Sequence, residues 1–200
     1  MPDGDPAALI ELLRARTDGL PSWLQGHIGR VVTESRRLAP LHEVDPLRVQ
    51  AAAWGHDLYR HFDDDALLRE AAALGIAPDV AQQAAPILLH GPVAALRAQS
   101  DWGVRDTEVL EAIRVHTTGR PDMSPIALTL FLADKLEPAK VSADPGLAGI
   151  RTLANHHPAA ALLAFLDRRI AQYLASGGVV HPLALETRNW ALSQVGGREA

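Results

Sequence analysis

The chain has 200 residues, 48% of them hydrophobic and 22% charged, which is enough apolar material for one sizeable core and unlike a disordered composition. Its net charge of −5 disfavours a general nucleic-acid binder, and the absence of cysteine excludes disulfides and thiolate metal sites, so any metal must use histidine and carboxylate ligands. No apolar run approaches the roughly 18 residues a membrane helix needs, and residues 1–19 carry Asp3, Asp5, Glu11 and Asp18 instead of the apolar stretch of a leader, so a cytoplasmic protein is expected.

The predicted elements are helices from one end to the other. They cover roughly residues 6–16, 21–39, 46–58, 64–74, 78–84, 91–101, 106–117, 124–136, 146–155, 158–176 and 182–195, separated by Pro, Gly and Asp breaks. Pro21, Pro46, Pro125 and Pro182 fall near helix starts, where a missing N–H costs little. Asp45, Asp106 and Ser124 suit the N-cap position. No stretch alternates with a period of two. The expectation is an all-α fold, a single helical bundle over residues 20–195, with residues 1–19 as an N-terminal helical extension.

Certain polar residues sit where aliphatic ones belong. By i, i+3, i+4 and i+8 spacing, Trp23, Leu24, His27 and Val31 share one helical face. Val49, Ala52, Ala53 and His56 share a second, Val109, Ile113 and His116 a third, and Ala127, Leu130, Phe131 and Asp134 a fourth. A single core histidine is ordinarily a hydrogen-bonded one. Three imidazoles and a carboxylate in one small all-α chain are satisfied most simply by a shared cation, since a buried carboxylate is costly unless paired or metal-bound.

His56 and Asp57 are adjacent, and adjacent helical residues point about 100° apart, so the two converge on one site only near a helix end. Further on, Leu88-Leu89-His90-Gly91-Pro92 puts a histidine beside a flexible glycine at a helix start. Val115-His116-Thr117-Thr118-Gly119-Arg120-Pro121 ends a helix with hydroxyls and a cation. Capping and solvation account for these residues one by one; together they suit a second half-site that contacts a phosphate directly or through a second metal. Arg60, one turn past the His-Asp pair, is a natural phosphate ligand. His42, His61, His156, His157 and His181 fall in or near breaks and read mostly as surface residues. Trp23, Trp54, Trp102 and Trp190 read as packing residues.

The order His27, His56-Asp57, His90, His116, Asp134 resembles the HD metal-dependent phosphohydrolases, whose minimal signature is H…HD…D on separate helices. The longer strings "LLHGPVAA" (88–95), "AIRVHTTGRPDMS" (112–124), "LFLADKLEPAK" (130–140) and "HPLALETRN" (181–189) resemble the YqeK family, the HD-type symmetrical bis(5′-nucleosyl)-tetraphosphatases, over roughly residues 20–190. The resemblance implies metal-dependent hydrolysis of diadenosine tetraphosphate to two ADP, with iron as the usual metal. It implies His27, His56, Asp57 and Asp134 as metal ligands, with a second metal accommodated near His90 and His116. Asp57, His90 and His116 are then the expected catalytic residues. Arg60, His90, His116, Thr117, Arg120, Lys140, Gly178 and His181 are the expected substrate contacts. Arg60 stands where the family usually has Lys, Lys140 where it usually has Arg, and Leu24 where it has a basic residue. The partner implied is a dinucleoside polyphosphate or other small nucleotide, with no nucleic acid and no membrane; a homodimer is left open. Two other readings remain open from the residues: another HD enzyme, such as a 5′-deoxynucleotidase or guanosine-polyphosphate hydrolase, and a non-catalytic nucleotide-binding sensor.

Overall fold

Prolines and short polar caps set where the helices begin. A computed structural model describes residues 5–196, and among them the regular structure is twelve α-helices and two short 3₁₀ turns. α1 (Pro6–Ala15), α2 (Ser22–Leu38), α3 (Pro46–Gly55) and α4 (Asp64–Ala73) come first. α5 (Val80–Ala84), α6 (His90–Trp102), α7 (Thr107–Val115) and α8 (Pro125–Leu136) follow, then α9 (Pro138–Ala143), α10 (Ala148–Ala154), α11 (Pro158–Ala175) and α12 (Pro182–Gly196). Asp45, Asp106 and Ser124 each accept backbone N–H groups at the starts of α3, α7 and α8. Asp79 and Gln82 form a reciprocal capping box, so α5 begins at Val80 and not at Pro78.

The bundle is built around α2, α3, α7 and α8, which pack on one another, with α6 against α7 and the α10–α11–α12 group against the other side of α8. α8 is buried on nearly every face, from Ile126 and Ala127 through Leu130, Phe131 and Leu132 to Leu136. Residues 6–15, expected as an extension, form a helix that packs on α3 and sends Leu9 and Leu13 into the main core. A smaller cluster of Leu67, Ala71, Leu89 and Val93 fastens α4 and the 3₁₀ turn Pro86–Leu89 to α6. α9 was not expected. It has six residues and no apolar period to reveal it, and its start is fixed by the Glu137 carboxylate accepting from Ala139 N and by Pro138. His42 also departs from expectation. Instead of meeting solvent, its Nδ1 lies 2.9 Å from Thr129 Oγ1 and its Nε2 2.7 Å from the Ala154 carbonyl, tying the α2–α3 loop to α8 and α10.

Candidate active site

Three of the four conspicuous histidines stand at the end or the start of a helix. α3 stops at Gly55, so His56 is its C-cap and Asp57 lies in the following turn, which lets neighbouring side chains turn to one point. His90 opens α6, and His116 is the C-cap of α7. His27 lies within α2, and Asp134 in the last turn of α8. Gly91 has a role other than flexibility. A Cβ there would lie 2.9 Å from the Arg114 carbonyl oxygen and 3.2 Å from His116 Cε1, so glycine is what lets α6 and α7 approach closely enough for their histidines to meet.

The four rings share one arrangement. Nδ1 of His56 donates to the Ala53 carbonyl at 2.7 Å, Nδ1 of His116 to the Ile113 carbonyl at 2.8 Å, and Nδ1 of His90 to the Ile87 carbonyl. Nδ1 of His27 faces Glu137 Oε1 at 3.4 Å. With Nδ1 as the donor, a neutral ring presents its Nε2 lone pair to the centre. There Asp57 divides its two oxygens. Oδ2 lies 3.4 Å from His27 Nε2 and 3.5 Å from His56 Nε2, while Oδ1 lies 3.0 Å from His90 Nε2 and 3.2 Å from His116 Nε2. Asp134 Oδ1 completes the first half at 3.1 Å from His27 Nε2 and 4.0 Å from His56 Nε2.

Burial and charge follow from this convergence. His56, Asp57, His90, His116 and Asp134 are all buried. Burial pushes both carboxyl groups up, yet both end well below the ordinary range. Asp57 is held there by the facing rings of His56, His116, His27 and His90, and Asp134 by the Lys135 and Lys140 ammonium groups and by His27. Burial lowers His116 to about 3, against the pull of Asp57, and lowers His56 as well. Burial also opposes a proton on His27, but hydrogen bonds to Asp134 and Asp57 outweigh it and raise this ring to about 9. A proton on His27 thus stands between two carboxylates where a divalent ion's charge would stand. The fit to such an ion is direct: His56 Nε2 is buried with no hydrogen-bond partner, and nitrogen and carboxylate donors from three helices aim at one point. Among the described residues, two groups have ligand atoms within 4.8 Å of one another: His27, His56 and Asp134, and His56, Asp57 and His116. This hard and borderline donor set suits a divalent cation.

The cluster lies at the floor of a cavity of about 1030 Å³. Arg60, Thr117, Lys140 and His181, read from the sequence as substrate contacts, line it. Arg60 Nε is 3.9 Å from Asp57 Oδ2, and Lys140 Nζ is 2.7 Å from Asp134 Oδ1. His181 is buried rather than superficial; its Nδ1 accepts from Leu183 N and its Nε2 lies 3.1 Å from Asp79 Oδ2. Two expected substrate contacts are not brought in. Arg120 turns to Glu111, Nη1 to Oε1 3.2 Å, because the left-handed turn at Gly119 carries the chain away from the cavity. Gly178 is exposed and does not line the cavity, its N–H donating to the Tyr173 carbonyl, while its neighbours Val179 and Val180 do line it.

Several lining residues had no conspicuous sequence signal. Lys135 Nζ sits 2.6 Å from Asp134 Oδ2, and burial holds its pKa down against that pairing. Glu137 is 1% exposed and receives Arg30 Nε at 2.9 Å as well as His27. Phe165, Arg168 and Tyr173 on α11 form the far wall, where Arg168 pairs with Asp144 and Arg169 lies over the Tyr173 ring at 4.5 Å. Trp23 lines the cavity too, 59% exposed instead of packed in the core. The sequence predicts a helix over 158–176 but not which side of it faces a site.

No family model matches the chain. Among curated proteins, it is 34% identical over 155 residues to a symmetrical bis(5′-nucleosyl)-tetraphosphatase of Halalkalibacterium halodurans, covering 78% of this chain and 81% of that one. It is 32% identical to the protein of the same description from Staphylococcus aureus, over 70% of this chain and 71% of that one. The Bacillus subtilis protein of that description is 30% identical, over 84% and 88%. Among solved structures, a Clostridium acetobutylicum protein described as a predicted HD superfamily hydrolase involved in NAD metabolism superposes with a TM-score of 0.85. It has 26% identity and covers 95% of this chain and 98% of that one.

Proposed function

Because the chain belongs to the symmetrical bis(5′-nucleosyl)-tetraphosphatases, on the fold of the HD hydrolases, we propose that its His27, His56, Asp57 and Asp134 hold the metal on which this hydrolysis depends. The reaction adds water across the central phosphoanhydride of diadenosine tetraphosphate. A water oxygen bonds to the second phosphorus from one adenosine, the bond from that phosphorus to the central bridging oxygen breaks, and two ADP leave. The single observation that carries the site assignment is the common orientation of the four rings, each anchored through Nδ1 with Nε2 turned to Asp57 or Asp134.

A divalent cation, iron on our reading, would supply Lewis-acid polarisation and a water of lowered pKa. The remaining work belongs to the protein. Asp57, with one oxygen toward each half of the cluster, would orient the attacking water, and with His90 and His116 would help hold a second cation. Burial keeps the His116 ring neutral at physiological pH, which leaves its Nε2 lone pair available either to a cation or, in its absence, to a hydrogen bond from that water. Arg60, Lys135 and Lys140 surround the cleft with positive charge, which offsets the polyphosphate in ground and transition states alike. The Val179–His181 segment and α11 enclose one nucleotide half, and so set which phosphorus meets the water.

Product chromatography on diadenosine tetraphosphate, together with metal analysis of the purified protein, tests this reading. Two ADP from a metal-loaded enzyme are expected. ATP with AMP would overturn symmetrical cleavage, and turnover by metal-free protein would overturn the metal assignment.

A further inference from the structure

Trp54, Trp102 and Trp190 pack partly buried against the core. The first two also lie under guanidinium groups, Arg14 at 5.8 Å and Arg16 at 5.3 Å. Trp23 departs from this pattern. It stands in the first turn of α2, is 59% exposed, and lines the same cavity as His27. An indole left in water gains little from folding, since its stabilising contribution comes from the apolar area it buries. Its flat face is therefore open to a ligand.

Its position on α2 adds direction. Trp23, His27 and Arg30 follow i, i+4, i+7 spacing and lie along one face of the helix. At about 1.5 Å rise per residue, Trp23 lies about 6 Å to one side of His27 along the axis and Arg30 about 4.5 Å to the other. The cavity's volume of about 1030 Å³ is at the upper end of ordinary small-molecule sites, which run roughly 300–1,000 Å³. Symmetrical cleavage puts the cut phosphoanhydride at the middle of the substrate, with one nucleoside on each side of the metal cluster. Phe165, Tyr173 and Val179 offer an apolar surface on the α11 side. Trp23 is the large aromatic on the α2 side.

We infer that the Trp23 indole is the stacking surface for the second nucleobase, the one that projects from the cluster away from the α11 wall. The inference rests on the reaction proposed above and adds a residue that selects dinucleoside over mononucleoside polyphosphates. Stacking of a base on an aromatic side chain corresponds to about five- to 150-fold in affinity.

The test compares KM for diadenosine tetraphosphate with the inhibition constant of adenosine 5′-tetraphosphate, which has the same phosphate chain and one base, in the parent enzyme, Trp23→Ala and Trp23→Phe. Thermal melting confirms that the variants are folded, as expected for an exposed position. In Trp23→Ala, KM should rise about tenfold or more relative to the change in that inhibition constant, because the mononucleotide can seat its one base against α11. Trp23→Phe should recover most of the loss, and kcat should change much less than KM. If both constants move together, or neither moves, the inference is overturned while the reaction stands. If the parent enzyme releases no ADP from the dinucleotide, the reaction falls and the inference with it.

Discussion

The Nε2 atoms of His90 and His116 face each other at 2.9 Å while both rings donate through Nδ1 to backbone carbonyls three residues earlier, Ile87 in the 3₁₀ turn before α6 and Ile113 in α7. Two lone pairs at that distance repel unless something positive lies between or beside them, and Asp57 Oδ1 at 3.0 and 3.2 Å adds a third donor to the same space. The pair is accordingly expected to take a second divalent ion at high metal concentration. Titration followed by elemental analysis should find two equivalents in the parent protein and one in His116→Ala, whose kcat should fall by about 100-fold or more. Two equivalents in the variant would show that His116 holds no metal.

Asp57 contributes an oxygen to each half of the cluster, so Asp57→Ala should remove both metal and activity while leaving a helical fold. Circular dichroism and metal content measured on one preparation distinguish this from unfolding. Bound metal with full activity in the variant would disprove the assignment.

Glu137 supports His27, and on the reading proposed above would act on metal affinity through it. Its buried carboxylate accepts from Arg30, from Ala139 N and from the His27 side chain, which fixes the ring so that Nε2 faces Asp57 and Asp134. Loss of an outer-shell partner of this kind typically lowers metal affinity about 10- to 100-fold. Glu137→Ala should show that loss in equilibrium dialysis, and Glu137→Asp should recover part of it. Unchanged affinity would mean that Glu137 serves only as the cap of α9.

Arg60 carries its charge beside Asp57 and is 41% exposed into the cavity. Phosphate charge is present in substrate and transition state alike, so Arg60→Ala should act mainly by raising KM, reducing kcat/KM by about tenfold or more. Arg60→Lys should retain most activity as a point charge. Lys140→Ala should act on metal retention as well as KM, because Lys140 holds Asp134 at 2.7 Å. Steady-state kinetics at saturating metal separate these effects.

His42 predicts a pH dependence of stability away from the cluster. Burial holds its imidazole below the ordinary 6.5, Arg37 acts in the same direction, and the Ala154 carbonyl opposes them. The unfolded chain therefore binds this proton more readily than the folded one. The stability that the neutral ring contributes is complete above about pH 6.5 and is lost as pH falls from there toward the lower native value. Between pH 7.5 and 5.5 the Tm of the parent protein should fall more steeply than that of His42→Gln. Parallel slopes would mean that His42 titrates alike in the folded and the unfolded chain.

Helix positions were legible in the sequence because their causes are local: proline at N1, Asp and Ser caps, and apolar residues three or four apart. The cluster was legible for a related reason. His27, His56, His116 and Asp134 each interrupt an apolar face, and a helix face that packs inward carries its interruptions inward too. What no local pattern contains is which atom meets which across the bundle. The division of Asp57 between two pairs of histidines, the support of His27 by Glu137 from 110 positions away, and the pairing of Lys135 with Asp134 depend on how α2, α3, α6, α7 and α8 cross. The same holds for the misplaced expectations. Arg120 adjoins a site motif but follows a left-handed glycine that turns it toward Glu111, and His42 lies in a loop whose neighbours bury it. Trp23 shares a helical face with His27, yet only the packed bundle leaves that first turn of α2 standing over a cavity instead of within the core, because burial depends on the helices that arrive from elsewhere in the chain.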